Sequence, residues 1–269
     1  MNTERFSEIW DLHTKWASGV IYSKIETLGT ATVFTSDVPG EYFNFAVPTV
    51  DIPDSLNLDE IKNTLHFGLH KSAVSLFESH QQSGFIEYLA KNKFEIASHD
   101  SWLLFNKDEY SNVEVIGDIR EVGLEKLGDF YKVARPVWDF LPGNEEYLAM
   151  EAKFLRGEAK SALSDLQLRL YVLYEAGEPV ANGGLFYSVQ ENFGYLQDAG
   201  TLKDFRGRGY QTSLIRHRIN ESLKNGISRL YVSAEHEGTS WRNCLKNGFE
   251  PIQVIRTFLE KGNVSEVSI

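Results

Sequence analysis

The sequence predicts an α/β protein made of two similar halves. Segments rich in β-branched and aromatic residues alternate along the chain with segments of helical period. A polar run at residues 107–112 separates two such series. The runs Lys91–Glu95 and Lys246–Glu250 differ at one position, and each stands between a predicted helix and a predicted strand. These three observations favour a tandem repeat with a boundary near residue 110.

The first half alternates helices with strands. Its predicted helices are 2–19, 55–71 and 82–93, and its predicted strands are 29–36, 42–48, 72–79 and 94–106. Ser55 or Asn57 is expected to cap the second helix, because both side chains accept hydrogen bonds from unpaired backbone N–H groups.

The second half follows the order β-α-α-β-β-β-α-β-α-β. Its predicted strands are 113–122, 168–177, 178–189, 192–202, 228–235 and 249–260, and its predicted helices are 123–141, 145–159, 210–226 and 239–248. Pro136 is expected to interrupt or end the first of these helices. The pair Asn225-Gly226 marks the end of the third.

Composition and charge narrow the class of protein. An apolar content of 42% over 269 residues is sufficient for a core. A single cysteine, Cys244, leaves neither a disulfide nor a zinc cluster, so we expect no metal and a reducing compartment. No secretory leader or long apolar run is visible, which predicts a cytoplasmic protein with no membrane partner. The net charge of -11 disfavours a nucleic-acid partner.

The run KDFRGRGYQ at residues 203–211 predicts an anion site. It lies between a strand and a helix start, where unpaired backbone N–H groups point in one direction. Gly207 and Gly209 allow close backbone approach, and Arg206 and Arg208 add charged donors. This set suits a diphosphate better than one carboxylate. Neither the phosphate loop ending in Gly-Lys-Ser/Thr nor the three-glycine dinucleotide fingerprint is present.

The segments AGTLKDFRGRGYQTSLIRHRI (199–219) and TSWRNCLKNGFEPI (239–252) resemble the GNAT superfamily of acyl-CoA N-acyltransferases. The resemblance runs from about residue 113 to the end of the chain and agrees with the family's order of elements. It implies acetyl-CoA as co-substrate and, together with the tandem repeat, two GNAT-like domains, each a twisted mixed β-sheet flanked by helices. The coenzyme-binding positions that it implies are Ala199, Gly200, Thr201, Arg206, Gly207, Arg208, Gly209, Tyr210, Gln211, Thr212, Ser240 and Asn243.

Two positions depart from the family pattern. Gln211 replaces a glycine or alanine of the loop, which predicts a different backbone path there. Cys244 stands where many members carry a tyrosine thought to protonate the leaving thiolate. A thiol with a pKa near 8.5 would do this poorly, and Cys244 is expected to be a small apolar residue on a buried helix face.

The catalytic candidates come from the strand before the loop and from the end of the next strand. They are Asp198 and Tyr195 on the first and Glu235 on the second, with His236 a further candidate. Asp198 is the better base, although strict alternation places it on the face opposite Thr201 unless a bulge intervenes. Residues 216–218 are expected to form a solvated helix face.

The first half lacks an equivalent of the glycine loop. Its segment PTVDIPDSLNLDEI (48–61) carries aspartates where the loop carries arginines and glycines. We therefore expect residues 1–110 to form a degenerate GNAT-like domain without a coenzyme site, and residues 111–269 to form the catalytic domain.

The activity predicted from the resemblance is direct transfer of an acetyl group from acetyl-CoA to an amine. The acceptor is left open between a small-molecule amine and a peptide amine, and the oligomeric state between a monomer and a homodimer. The alternative is a non-catalytic acyl-CoA-binding sensor or regulatory protein, which the missing tyrosine at Cys244 favours.

Overall fold

The computed structural model describes residues 3–67, 71–81, 84–110, 114–141 and 143–261. Its helices are α1 (Thr3–Ala17), α2 (Leu58–Phe67), α3 (Glu78–Gln81), α4 (Phe85–Lys91), α5 (Leu127–Val137), α6 (Asn144–Leu155), α7 (Tyr210–Lys224) and α8 (Thr239–Leu245). Its strands are β1 (Lys24–Thr27), β2 (Ala31–Thr35), β3 (Phe45–Pro48), β4 (Ala73–Leu76), β5 (Phe94–Phe105), β6 (Asp118–Val122), β7 (Gln167–Glu175), β8 (Glu178–Ser188), β9 (Phe193–Thr201), β10 (Arg229–Glu235) and β11 (Phe249–Glu260).

The predicted α/β class and the predicted order of elements are confirmed. Every predicted helix and strand has a counterpart, and α5 ends one residue after Pro136. The sequence prediction missed β1 and α3, which are only four residues long each. Parts of the predicted helices and strands, at positions 2, 68–70, 82, 83 and 113, lie outside the described residues. No helix in the described ranges is long and apolar enough to cross a membrane.

The chain forms two compact units built from discontinuous segments. One unit contains residues 1–20 and 100–253, and the other contains residues 21–99 and 254–269. These units do not coincide with the continuous segments 1–110 and 111–269. The reason is that the last strand of each half, β5 or β11, crosses from one unit into the other.

The first unit carries a mixed sheet in the order β5-β10-β9-β8-β7-β6. Strands β9 and β10 are parallel, and the other pairs are antiparallel. Helices α5 and α7 lie on opposite faces of β8 and β9. A Cβ atom at Gly183 would meet Arg218 of α7, whereas one at Gly200 would meet Val137 of α5. The strands at the centre of this sheet are therefore covered on both faces.

Helix α1 completes the first unit through aromatic contacts. Its buried Trp16 donates a hydrogen bond of 2.5 Å to the Tyr231 hydroxyl of β10 and packs against Phe186 at 4.8 Å between ring centroids. Its buried His13 lies 4.8 Å from the Trp102 ring. Burial lowers the pKa of His13 to about 3, so this imidazole is neutral at physiological pH.

The second unit repeats the pattern in a shorter form. Its sheet runs β1-β2-β3-β4-β11, with β3 and β4 parallel and the remaining pairs antiparallel. The near-identical runs that suggested a repeat occupy equivalent junctions, from α4 to β5 and from α8 to β11. Lys93 and Gly248 have left-handed φ values of 66° and 82° at these junctions. The same backbone turn thus precedes the last strand of each half.

Candidate active site

A β-bulge interrupts β9 beside the predicted base. Asn182 of β8 pairs with Gly200, but Gly184 pairs with Gln197, so Gly183 faces two β9 residues, Asp198 and Ala199. Asp198 has a left-handed φ of 51°, which is uncommon for a residue with a side chain. Regular alternation would send Gln197 and Asp198 to opposite faces. The bulge lets both side chains reach α6.

A hydrogen-bonded chain connects β9 with α6. The Tyr147 hydroxyl donates to Gln197 Oε1 at 2.6 Å, and Gln197 Nε2 donates to Glu151 Oε1 at 2.9 Å. Glu151 is fully buried, and its carboxyl group is in hydrogen-bonding contact with that of Asp198. The two carboxyl groups therefore form one site, called here the carboxyl pair.

The carboxyl pair holds a proton at a pH where ordinary carboxyl groups are ionised. Glu151 Oε2 and Asp198 Oδ2 are buried, and no donor group of the described residues reaches them. Burial and the neighbouring Asp198 charge raise the pKa of Glu151 well above its usual range. Burial also raises the pKa of Asp198, although the contact with Glu151, the Arg218 charge and the Tyr147 hydroxyl oppose this shift. Two carboxylates in contact cannot both ionise cheaply, so the pair shares one proton.

Arg218 lies beneath the bulge, which corrects the expectation of a solvated face at residues 216–218. Its side chain is 1% exposed, and Nη1 donates to the backbone oxygens of Gly184 at 2.8 Å and Gln197 at 3.0 Å. Burial lowers its pKa to about 10, so the guanidinium stays charged at neutral pH. Sequence reasoning missed this role because Arg218 follows two other polar residues on a helix. The adjacent pair Gly183-Gly184 was the available signal for a crowded site.

The predicted coenzyme loop has an open helix start. Gly207 and Gly209 take left-handed φ values of 79° and 82°, and α7 begins at Tyr210. No side chain caps this helix, and its first turn contains no acidic residue. By contrast, the Asn57 side chain caps the start of α2 by accepting from the Glu60 backbone N–H at 3.2 Å. The anion-binding geometry is therefore present at α7, whereas the start of α2 is closed by its own side chain.

The side chains of the loop bind other parts of the protein in this structure. Arg208 Nη1 lies 2.8 Å and 3.0 Å from the two carboxylate oxygens of Glu175, and the Tyr210 hydroxyl donates to Glu175 at 2.8 Å. Arg206 Nε donates to the Thr201 carbonyl at 3.1 Å. Gln211 Nε2 donates to the Thr201 hydroxyl at 3.2 Å, which ties α7 to the end of β9.

Strands β9 and β10 pair over only three residues each. Their parallel register joins Phe193–Tyr195 to Arg229–Tyr231, and the rest of β9 pairs with β8 alone. The remainder of β10 pairs with β5 and leads towards α8. On α8, Ser240 is exposed and Asn243 is half-buried. Strands β9 and β10 thus stop pairing after Tyr195 and Tyr231, and the chain continues from β9 into the loop and from β10 into α8.

Of the other catalytic candidates, Glu235 and His236 lie at the end of β10 and just after it. Tyr195 is close to the carboxyl pair, and burial and the Asp198 charge raise its pKa. Glu235 is exposed at the end of β10, where a Cβ at Gly238 would approach its carboxylate to 2.8 Å. His236 contacts Ser101 through Nδ1 at 2.6 Å. Tyr195 lies in the aromatic cluster, 5.3 Å from His13 and 5.0 Å from Tyr231. Cys244 is buried in the core, as expected of a small apolar residue, and burial raises its pKa to about 11.

The segment that carries this site is similar to known proteins. Residues 130–249 match the sequence model of the acetyltransferase (GNAT) family. No curated protein is significantly similar to the chain. Among solved structures, a GCN5-related N-acetyltransferase from Kribbella flavida is similar with a TM-score of 0.65 and 12% identity, over 94% of this chain and 95% of that one.

Two further structures extend the comparison. A GCN5-related N-acetyltransferase from Sphaerobacter thermophilus has a TM-score of 0.59 and 13% identity, over 86% of this chain and 80% of that one. A tandem GNAT protein from the clavulanic acid biosynthesis pathway has a TM-score of 0.54 and 9% identity, over 87% and 80%. The chain therefore has the fold of GNAT proteins, a tandem member among them, and its residues 130–249 match the sequence model of the acetyltransferase (GNAT) family.

Proposed function

We propose that this protein is an acetyl-CoA-dependent N-acetyltransferase that transfers the acetyl group directly to an amine. The observation that carries the proposal is the bulged strand β9. The bulge places the carboxyl pair at α6, and the strand ends at the glycine loop that opens α7. A proton acceptor and an anion site therefore belong to one continuous segment of the chain.

The donor side of the site is formed by the loop and the diverging strands. The backbone N–H groups at the start of α7, with Gly207 and Gly209, would hold the coenzyme pyrophosphate. Ala199, Gly200 and Thr201 would lie along the thioester end of the coenzyme, and Ser240 and Asn243 along its pantetheine arm. The bound thioester supplies the activated carbonyl carbon on which the amine acts.

The carboxyl pair supplies the base. An aliphatic amine arrives mainly as an ammonium ion, because its pKa is near 10. The ionised carboxylate of the pair accepts one ammonium proton, and the neutral amine then attacks the thioester carbonyl. The second nitrogen proton goes to the departing coenzyme sulfur, so no covalent bond to the protein is needed. A base with a raised pKa suits this task better than an ordinary carboxylate does.

The proposal is tested by measuring release of the coenzyme thiol from acetyl-CoA. The assay uses a panel of amines, polyamines, amino acids and peptides as acceptors. We expect turnover with at least one class of amine. The substitutions Asp198→Asn and Glu151→Gln should each reduce turnover by about 100-fold or more, with little change in coenzyme affinity. The exposed carboxylate variant Asp108→Asn is the matched control and should keep full activity.

Two results would contradict the proposal in different ways. If neither CoA nor acetyl-CoA raises the melting temperature at saturation, the coenzyme site is wrong, because a ligand at 100 times its Kd should stabilise by about 2.7 kcal/mol. If the coenzyme binds but no amine releases thiol above background, the chain is an acyl-CoA-binding sensor.

A further inference from the structure

A cleft of about 490 Å³ on the second unit is lined by most of that unit's cations. We call it the lysine cleft. Its lining includes five lysines and one carboxylate: Lys62, Lys71, Lys91, Lys93, Lys261 and Glu260. The unit's residues, 21–99 and 254–269, include seven Lys and Arg against twelve Asp and Glu. Five of those seven cations face one cleft of an acidic unit, so the positive charge is concentrated there.

Ion pairs inside the unit neutralise only part of this charge. Lys62 pairs with Glu260 at 2.8 Å, and Lys261 pairs with Glu95 at 3.1 Å. Lys71, Lys91 and Lys93 form no ion pair with any residue in the described part of the chain. Three neighbouring cations without an internal counterion repel one another, and an anion bound between them would remove that repulsion.

The backbone that presents these lysines is held in place. The backbone N–H of Lys261 donates to the Lys93 carbonyl at 2.8 Å, and that of Glu260 donates to the Ser72 carbonyl at 2.9 Å. The Lys62 ammonium lies 5.5 Å from the centre of the Phe94 ring. The end of β11 is thereby fixed to the segments before β4 and β5, so the cleft is partly preorganised for a ligand.

We propose that the lysine cleft binds a small phosphate-containing anion with several negative charges, such as a polyphosphate or a nucleoside polyphosphate. The volume falls within the usual range for small-molecule sites, about 300 to 1,000 Å³. Lysine binds phosphate as a point charge, whereas the planar arginine fork commonly binds planar carboxylates. None of the described residues that line this cleft is an arginine. The second unit, whose helix α2 has no glycine loop at its start, would then bind an anion through side chains.

Calorimetric titration of the full chain with inorganic tripolyphosphate tests the proposal, in an Arg206→Glu/Arg208→Glu background that disables the glycine loop without adding a second phosphate-containing ligand. We expect one binding site whose affinity falls as salt rises from about 50 to 200 mM. The double variant Lys91→Glu/Lys93→Glu should weaken binding by about tenfold or more, because it removes two charged donors and adds repulsion. The control Lys24→Glu changes an exposed lysine of the same unit outside the cleft and should bind normally.

Three results would overturn the proposal. One is the absence of tripolyphosphate binding at about 1 mM and low salt. Another is equal affinity with and without the Lys91→Glu/Lys93→Glu change, and the third is citrate binding as tightly as tripolyphosphate. The variant Lys91→Gln/Lys93→Gln repeats the test if charge reversal disturbs folding. A parallel titration with ATP separates free polyphosphate from nucleotide. The test measures binding at Lys91 and Lys93. Its result can therefore be interpreted even if the glycine loop does not bind CoA.

Discussion

Asp198 combines three unusual features. Its backbone is left-handed, a glycine faces it on the neighbouring strand, and a second carboxyl group contacts its own. A Cβ atom at Gly184 would lie 3.4 Å from Asp198 Oδ2 and 3.0 Å from Gln197 Cγ, so the glycine gives both side chains their room. The left-handed φ of Asp198 costs energy that the surrounding hydrogen bonds must offset. Strain at a buried carboxyl group is more typical of a functional site than of a structural one.

The carboxyl pair should make the protein less stable as pH rises. Its raised pKa values mean that the folded state binds more protons than the unfolded chain above the usual carboxyl pKa of about 4. Stability therefore falls as pH increases from there through the folded pKa. Glu151→Gln removes this penalty, and we expect it to raise the free energy of unfolding at pH 8 by on the order of 1 kcal/mol while reducing turnover by about 100-fold or more. Urea unfolding at several pH values between 5 and 8 measures the free energy of unfolding of the wild type and of the variant.

The wild type and the variant should converge at the acid end of this range. A variant that is less stable than the wild type at every pH would show that Glu151 is ionised and paired in the folded state. The proposed shared proton would then be wrong.

Glu175 should compete with the coenzyme for the loop. Its carboxylate holds Arg208 and Tyr210, so a phosphate must compete with this carboxylate for the Arg208 guanidinium. The change Glu175→Gln weakens the contact and raises the fraction of molecules ready to bind. We expect a severalfold lower Kd for CoA by calorimetry. The control Glu178→Gln lies on the same hairpin, is exposed and should bind as the wild type does. Weaker binding by Glu175→Gln would indicate that Glu175 positions Arg208 for the ligand.

At the scale of elements, the bulge in β9 depends on α7. The carbonyl groups of Gly184 and Gln197 are held by Arg218, which occupies the space that a side chain at residue 183 would fill. The bulged pairing of β8 with β9 and the position of α7 therefore depend on one another. A buried guanidinium with several backbone acceptors is a stable arrangement only while every contact is kept.

Gly183→Ala should disturb both stability and catalysis. The added Cβ would lie 3.0 Å from Arg218 Cζ, and the hydrogen bonds of Arg218 prevent it from moving aside. We expect a loss of about 1 to 3 kcal/mol in urea unfolding, with reduced turnover because the bulge shifts. Gly128→Ala in α5 is the control. Its Cβ meets nothing within 4 Å, and it should be neutral or stabilising. Equal effects of the two changes would show that Arg218 does not constrain the strand.

The elements could be predicted from the sequence because each obeys a local rule. Periodicity placed the helices and strands, and Pro136 and Asn225-Gly226 marked two helix ends that the structure confirms. The catalytic centre could be predicted only in part. Asp198 stood out on its strand, but Glu151 and Arg218 lie on helices whose polar residues resemble solvent-facing ones. Their burial results from the packing of α6 and α7 on β9, which local sequence does not report.

At the scale of the whole molecule, the two halves exchange their last strands. Residues 100–104 of β5 pair with β10 in the first unit, and residues 256–259 of β11 pair with β4 in the second. Helix α1 also belongs to the first unit, although it is separated from it by almost eighty residues of sequence. The boundary near residue 110 follows the repeat in the sequence, but neither compact unit is made of one half alone.

A fragment of residues 111–269 should therefore fail to fold as a stable monomer. It lacks α1 and β5, which would expose the unpaired edge of β10 and the aromatic face that Trp16 and Trp102 cover. Loss of a buried tryptophan alone costs about 3 to 5 kcal/mol, a large share of the stability of most domains. Size-exclusion chromatography and thermal unfolding by circular dichroism compare the fragment with the full chain, and Trp16→Ala in the full chain isolates the contribution of α1.

A monomeric fragment that melts at the temperature of the full chain would show that the catalytic half is an autonomous domain and that the strand exchange contributes nothing to its stability.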